Sequence, residues 1–157
     1  MKVLGLDTSF ERCSVALRVD GRLAAEEIDP IAKGHAERLL PMVGSLLAAN
    51  GLAYRDLDAL AVAVGPGLFT GVRVGIAAAR GLRMVLGIPA LGVGTLHAMA
   101  VAAAEEGIGA GRPLGVANDA RNDEAYVRSF TAAGTPEDRK STRQLQSRFG
   151  IWYAVFC

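Results

Sequence analysis

The sequence has few of the residues from which metal sites, disulfide frameworks and nucleophilic catalytic sites are built. Among its 157 residues there are two cysteines and two histidines. Cys13 and Cys157 stand at opposite ends of the chain, so they predict neither a disulfide framework nor a metal clip, and a reducing compartment is the natural setting. His35 is followed four residues later by Leu39, which leaves no histidine pair on one helix turn. We therefore predict no metal site and no catalytic residue.

Long hydrophobic runs and a strong charge of one sign are also missing. The chain begins MKVLGLDTSF, where Asp7 ends a short apolar run. This run is too short for a secretory signal. No apolar run reaches membrane-spanning length without a charge or a glycine. The formal net charge of +1 argues against a chain that holds nucleic acid by itself. These absences predict a cytoplasmic protein without a membrane role.

What the sequence does contain is a regular succession of apolar segments. Hydrophobic residues make up 51% of the chain, enough for one core and part of a second. Alternating patterns predict three strands in a meander, and three-and-four spacing then predicts a helix at 35–50, followed by alternating strands and helices. A meander followed by such units is typical of a mixed sheet with parallel crossovers, so we predict an α/β fold with helices on both faces of the sheet.

Changes in composition predict the domain boundaries. A glycine- and proline-rich break at 107–113 ends the first pattern, so residues 1–110 are predicted to form one domain. Residues 111–136 predict two strands around a turn, the start of a second, similar domain. Residues 137–157 are rich in aromatic side chains and lack matching elements, which predicts an atypical, truncated or replaced tail; a short helix and strand is the alternative.

The stretch GPGLFTGVRVGIAAARGL, at 65–82, is the densest pattern in the chain. Gly65 and Gly67 allow a sharp turn, and Thr70 is a candidate N-cap whose helix would offer amide donors to an anion. The spacing matches neither a P-loop nor the dinucleotide fingerprint, so the phosphate signal is weak. A purely structural role for these glycines is the competing interpretation.

A second candidate for nucleotide binding lies at the end of the first predicted strand. Asp7, Thr8 and Ser9 place a carboxylate and two hydroxyls at the edge where a cleft is expected. The same three residues are equally suited to a turn or a helix cap. Both interpretations stay open at the level of the sequence.

The helix that follows the glycine-rich turn has two unlike sides. At 100° per residue, Gly71, Gly75 and Ala79 fall on one side, where a neighbouring backbone can approach closely. Arg73 and Arg80 fall on the opposite side, which is the usual place for a solvated face.

Five motifs stand in order along residues 1–131: LGLDTSFERCSVAL, GHAERLLP, AVAVGPGLFTGVRVGIAAARGL, GVGTLHAMA and NDARNDEAY. Together they resemble the bacterial TsaB (YeaZ) proteins of the actin-like ATPase superfamily. The resemblance implies an actin-like, ribonuclease H-like fold whose second domain is only begun in this chain. It also implies a non-catalytic subunit required for threonylcarbamoyl transfer to adenosine 37 of tRNA.

The resemblance further implies the partners. The expected ones are TsaD, which carries out the transfer, and TsaE, with tRNA reached only through the complex. A homodimer is expected when the chain is alone, and ATP or ADP is expected only in the complex. The helices at 35–50 and 70–87 are implied to pack against the same pair in the partner. The predicted interface residues are Leu39, Met42, Val43, Leu46, Gly71, Gly75, Ile76 and Ala79.

An alternative from another functional class is a nucleotide-dependent, small-molecule kinase-like enzyme of the same superfamily. It would use Asp7 and the loop at Gly65. The segment Asp7-Thr8-Ser9 lacks the glycine that is usual in the phosphate loop of nucleotide-hydrolysing relatives, which counts against this alternative.

Overall fold

A computed structural model describes residues 1–109, 111–121, 124–131, 141–143 and 153–156; at 121, 141–143 and 153–156 it describes the backbone alone. The chain divides into two compact units, Met1–Val93 and Gly94–Cys157. This division lies between the fifth strand and the third helix, whereas composition placed the boundary at 110.

The first unit contains a five-stranded sheet and two helices. Its elements are β1 (Lys2–Phe10), β2 (Arg12–Val19), β3 (Arg22–Asp29), α1 (His35–Ala49), a short 3₁₀ turn (Tyr54–Asp56), β4 (Ala59–Ala63), α2 (Phe69–Leu86) and β5 (Ala90–Val93). The strand order is β3-β2-β1-β4-β5. Strands β1 to β3 pair antiparallel, and β4 and β5 extend the sheet in parallel with β1. The predicted α/β class with a mixed sheet is confirmed.

One face of this sheet carries the core. Leu4 of β1 stands opposite Leu17 of β2 and Leu60 of β4, and all three side chains are buried. The alternation in the sequence produces this row, because every second side chain of a strand points to the same face. Helix α1 packs on β2, and α2 packs on β1 and β4, in a single cluster with that row.

Both helices of the first unit thus lie on the same face of the sheet, whereas the sequence led us to expect helices on both faces. The reason is topological. The connections from β3 through α1 to β4, and from β4 through α2 to β5, both lead in the same direction across the sheet. Since parallel crossovers are right-handed, two crossovers in one direction place their helices on one face.

The second unit contains one helix and an antiparallel sheet. Its elements are α3 (Thr95–Glu105), β6 (Leu114–Arg121), β7 (Glu124–Phe130), β8 (Ser141–Arg143) and β9 (Tyr153–Phe156), in the order β8-β7-β6-β9. The two strands predicted after the glycine-rich break are confirmed as β6 and β7. Ala100 of α3 is buried with Val116 and Phe130 of this sheet. In the predicted tail, β8 pairs with β7 and β9 pairs with β6. The other residues of the tail lie outside the described part of the chain.

Cys13 is part of the core of the first unit. Its side chain is fully buried on β2. Burial raises the pKa of the thiol to about 11, and the nearby carboxylate of Asp29 adds to this increase. The thiol is therefore neutral near pH 7, as expected for a buried structural cysteine.

This raised pKa predicts a loss of stability in alkaline solution. The thiol ionises at a lower pH in the unfolded chain, where its pKa is 9.0, than in the folded protein, where it is about 11. Its contribution is complete below the lower value and disappears as the pH rises through the higher one. Between these two values, we expect the unfolding free energy to fall by about 2–3 kcal/mol more in the wild type than in Cys13→Ala. Urea titrations across this pH range, followed by circular dichroism, measure the difference, and parallel pH profiles would contradict it.

Candidate functional site

The carboxyl end of β1 is hydrogen-bonded to the loop that leads into α2 and to the first turn of that helix. The amide of Leu68 donates a hydrogen bond to the carbonyl oxygen of Ser9 at 2.6 Å. The hydroxyl of Thr8 donates to the carbonyl oxygen of Gly71 at 2.7 Å. Thr8 and Ser9 are each only 1% exposed. Two of the candidate nucleotide ligands therefore take part in internal packing.

Three glycines allow this contact. A Cβ at Gly67 would lie 2.5 Å from the carbonyl oxygen of Ser9, and one at Gly71 would lie 2.0 Å from that of Thr8. A Cβ at Gly75 would lie 2.7 Å from the hydroxyl oxygen of Thr8. These distances are too short for any side chain, so the glycines are needed where α2 lies against β1. The close approach expected from the sequence occurs, and the neighbouring backbone belongs to the same chain.

The remaining candidates for nucleotide binding have local roles. A carboxylate oxygen of Asp7, which is half-buried, accepts the amide of Ser9 at 2.7 Å, as in an Asx turn. Gly65 has φ +97°, the left-handed region that favours glycine. The prediction of Thr70 as N-cap is wrong, because α2 begins at Phe69 and its N-cap is Leu68, with no side-chain capping bond.

The two histidines also contact other parts of their own units. Nε2 of His35 donates to the carbonyl oxygen of Phe10 at 3.0 Å, which ties the start of α1 to the end of β1. In the second unit, the centres of the His97 and Phe130 rings are 5.7 Å apart. Both residues line a cavity of about 510 Å³. Within the described part of the chain, no three His, Cys, Asp or Glu side chains are grouped so that they could hold a metal ion.

Most of the residues predicted as a partner interface face the sheet of their own chain, and their role in pairing stays a prediction. Seven of the eight are buried within the first unit, and Ile76 is half-buried; the seven are Leu39, Met42, Val43, Leu46, Gly71, Gly75 and Ala79. The apolar side of α1 and the glycine side of α2 cover the sheet of the same chain. Side chains that are already buried have little area left to contribute to a partner.

The opposite side of α2 is the exposed one, and sequence reasoning assigned it no role beyond solvation. We call it the outer α2 face: Phe69, Arg73, Ala77, Arg80 and Met84. All five are exposed, with Phe69 at 69% and Met84 at 83%. The guanidinium of Arg73 lies 3.7 Å from the centre of the Phe69 ring. Its signal in the sequence is the spacing of four, four, three and four residues, which follows one helix face.

Comparison with known proteins shows the class of protein to which the chain is related. Residues 29–144 match the family model described as TsaD: tRNA N6-adenosine threonylcarbamoyltransferase. The chain is 38% identical, over 118 residues, to the tRNA N6-adenosine threonylcarbamoyltransferase of Solidesulfovibrio magneticus, an alignment that covers 66% of this chain and 32% of that protein. The class is thus that of the threonylcarbamoyltransferases and the proteins related to them.

Other relatives identify the branch. The chain is 46% identical, over 127 residues, to the tRNA threonylcarbamoyladenosine biosynthesis protein TsaB of Escherichia coli K12, covering 80% of this chain and 53% of that one. The solved structure of YeaZ from Pseudomonas aeruginosa superimposes with a TM-score of 0.75 at 40% identity, covering 87% of this chain and 63% of that one. The chain belongs to the TsaB (YeaZ) family, as its motifs indicated. It spans about half the length of the curated TsaB relatives it matches.

No helix in the described segments combines the length and the apolar character that crossing a membrane requires.

The close contact between α2 and β1 predicts opposite effects for two glycines of the same helix. In Gly71→Ala the new methyl group meets the backbone of β1, so we expect a loss of about 3 kcal/mol or more in unfolding free energy. Gly81 has open space around a Cβ, so Gly81→Ala should raise stability by up to about 1 kcal/mol through helix propensity. Urea denaturation measures both values. Similar effects for the two variants would contradict the contact.

Proposed function

We propose that this chain is a pairing subunit in threonylcarbamoyl transfer to adenosine 37 of tRNA and does not itself form the new bond. Support comes first from the relatives, since the E. coli protein is named for tRNA threonylcarbamoyladenosine biosynthesis. The chain is also similar to the transferase TsaD. Two related subunits of one fold can pair through equivalent surfaces, as the two copies of a symmetric dimer do. TsaD is accordingly the proposed partner, and TsaE is proposed to join the pair.

The observation that carries this proposal is the hydrogen-bonded junction between the end of β1 and the start of α2. It occupies the carboxyl ends of parallel strands, where α/β proteins commonly bind ligands. Here Thr8 and Ser9 are buried, and the hydroxyl of Thr8 is bonded to the carbonyl of Gly71. Residues that would have to contact a nucleotide serve instead to hold the helix. This favours a role in assembly over a catalytic role, with ATP or ADP bound only in the complex.

The outer α2 face is the proposed contact surface. Phe69 and Met84 offer large apolar side chains to a partner. Exposed aromatic and methionine side chains are enriched at protein interfaces. We propose that TsaD occupies this face, that tRNA is reached through the complex, that a second copy occupies the face weakly when TsaD is absent, and that the pair works in the cytoplasm.

Pairing can be tested by co-purification of this chain with TsaD from the same organism. We expect the wild type to retain TsaD and Phe69→Asp/Met84→Asp to weaken binding by about 100-fold, because two exposed apolar anchors are lost. Leu23→Asp/Ile28→Asp is the matched control, since it changes two exposed apolar residues of β3 on another surface. Mass spectrometry of tRNA then measures modification with each variant. Failure of the wild type to retain TsaD, or equal effects of the two double variants, would contradict the proposal.

The kinase-like alternative can be tested by nucleotide binding, because it predicts that the isolated chain binds ATP, whereas the pairing proposal predicts that it does not. It requires the isolated chain to bind magnesium ATP with micromolar affinity through Asp7, with the affinity lost in Asp7→Ala. Because the junction is closed by internal hydrogen bonds, we expect no binding in this range by titration calorimetry. Micromolar binding that depends on Asp7 would restore the alternative.

A further inference from the structure

Strand β3 forms one edge of the five-stranded sheet in the first unit. Among the described strands it pairs with β2 alone. The outer edge of such a strand presents backbone donors and acceptors to which a strand of another chain can bind. Two large apolar side chains of β3, Leu23 and Ile28, are also exposed, at 56% and 52%. The strand therefore has the features that favour strand addition by a second copy.

The pairing of β3 with β2 determines the face on which each side chain of β3 lies. Residues that stand opposite each other on neighbouring strands point to the same face of the sheet. Glu27 stands opposite the buried Val15, so it points to the face that carries the helices. Its neighbours Glu26 and Ile28 point to the other face, and a shift in the register brings Leu23 to that face as well.

The centre of β3 thus carries one carboxylate on each face of the sheet. Glu26 is exposed and Glu27 is half-buried. Asp29 at the end of the strand is a third carboxylate, and it forms an ion pair with Arg38 of α1. A strand added at this edge would therefore meet a negative charge on either face.

We propose that Glu26 and Glu27 prevent the β3 edge from pairing with a second copy of this chain and so leave assembly to other surfaces. Charged side chains on edge strands are a common means of preventing such pairing. The inference concerns this chain alone, so it does not depend on the proposed pairing with TsaD.

Two-fold symmetry makes these two residues effective. A symmetric dimer uses the same patch on both copies, so an antiparallel pairing of two β3 strands is centred on one residue. If the centre is Glu26 or Glu27, that carboxylate faces its own copy. If the centre is Ile28, Glu27 of each strand faces Asp29 of the other. A centre at Ala25 meets the register shift that follows it towards the start of the strand, where the regular ladder is interrupted.

Neutralising the two carboxylates tests the inference. Glu26→Gln/Glu27→Gln removes both charges at nearly constant side-chain size. We expect this variant to self-associate at least about tenfold more strongly than the wild type, because like charges juxtaposed at an interface oppose association. The matched control is Glu37→Gln/Glu106→Gln, which makes the same change of net charge at exposed glutamates outside β3 and should behave as the wild type. Sedimentation velocity at several protein concentrations measures association, and circular dichroism verifies the fold.

Further changes in the neutralised variant locate the association. Ile28→Lys places a charge on the same edge, so adding it should return self-association to the wild-type level. Adding Phe69→Asp/Met84→Asp, which changes the outer α2 face, should leave the gain in place. Three results would overturn the inference: no gain in Glu26→Gln/Glu27→Gln, an equal gain in the control, and a gain that is removed by the change on α2 and kept with Ile28→Lys.

Discussion

The first unit depends on the direct contact between the backbone of α2 and the backbone of β1. Helices normally pack on sheets through a layer of side chains, which keeps the two backbones apart. Here Gly71 lets its helix turn lie against the carbonyl of Thr8, and the hydroxyl of the same threonine bonds to the carbonyl of Gly71. The contact is both steric and polar, so it fixes the distance and the rotation of α2 together.

This contact links the fold to the function that we propose. It uses Thr8, Ser9 and the loop at Gly67, which are among the residues that the sequence offered as candidates for nucleotide binding. A hydroxyl that is buried and bonded to a helix carbonyl is not available to a ligand unless the helix moves away, which would open the core beneath it. Tight packing at this junction and ligand binding by the same residues therefore compete.

The sequence predicted the strands and helices well, but it did not predict what their buried faces pack against. Alternation in β1 and β2, and the spacing of apolar residues in α1, reflect the periodicity of the backbone and so identify strands and helices directly. The same pattern shows that Leu39 and Val43 are buried without showing what buries them, and the sheet of the same chain does so. Thr70 was misjudged because capping preferences are statistical, whereas the bond from Leu68 to Ser9 fixes where α2 begins. The shared face of α1 and α2 follows from handed crossovers, once the strand order is known.

The rotation of α2 also determines what a partner can recognise. The glycine side of the helix lies against β1, so only the opposite side stays exposed. With Gly75 held against Thr8 on the inner side, Arg73 and Arg80 have only the outer side available. The glycines that pack against β1 thus also determine that the two arginines lie on the exposed side of the helix.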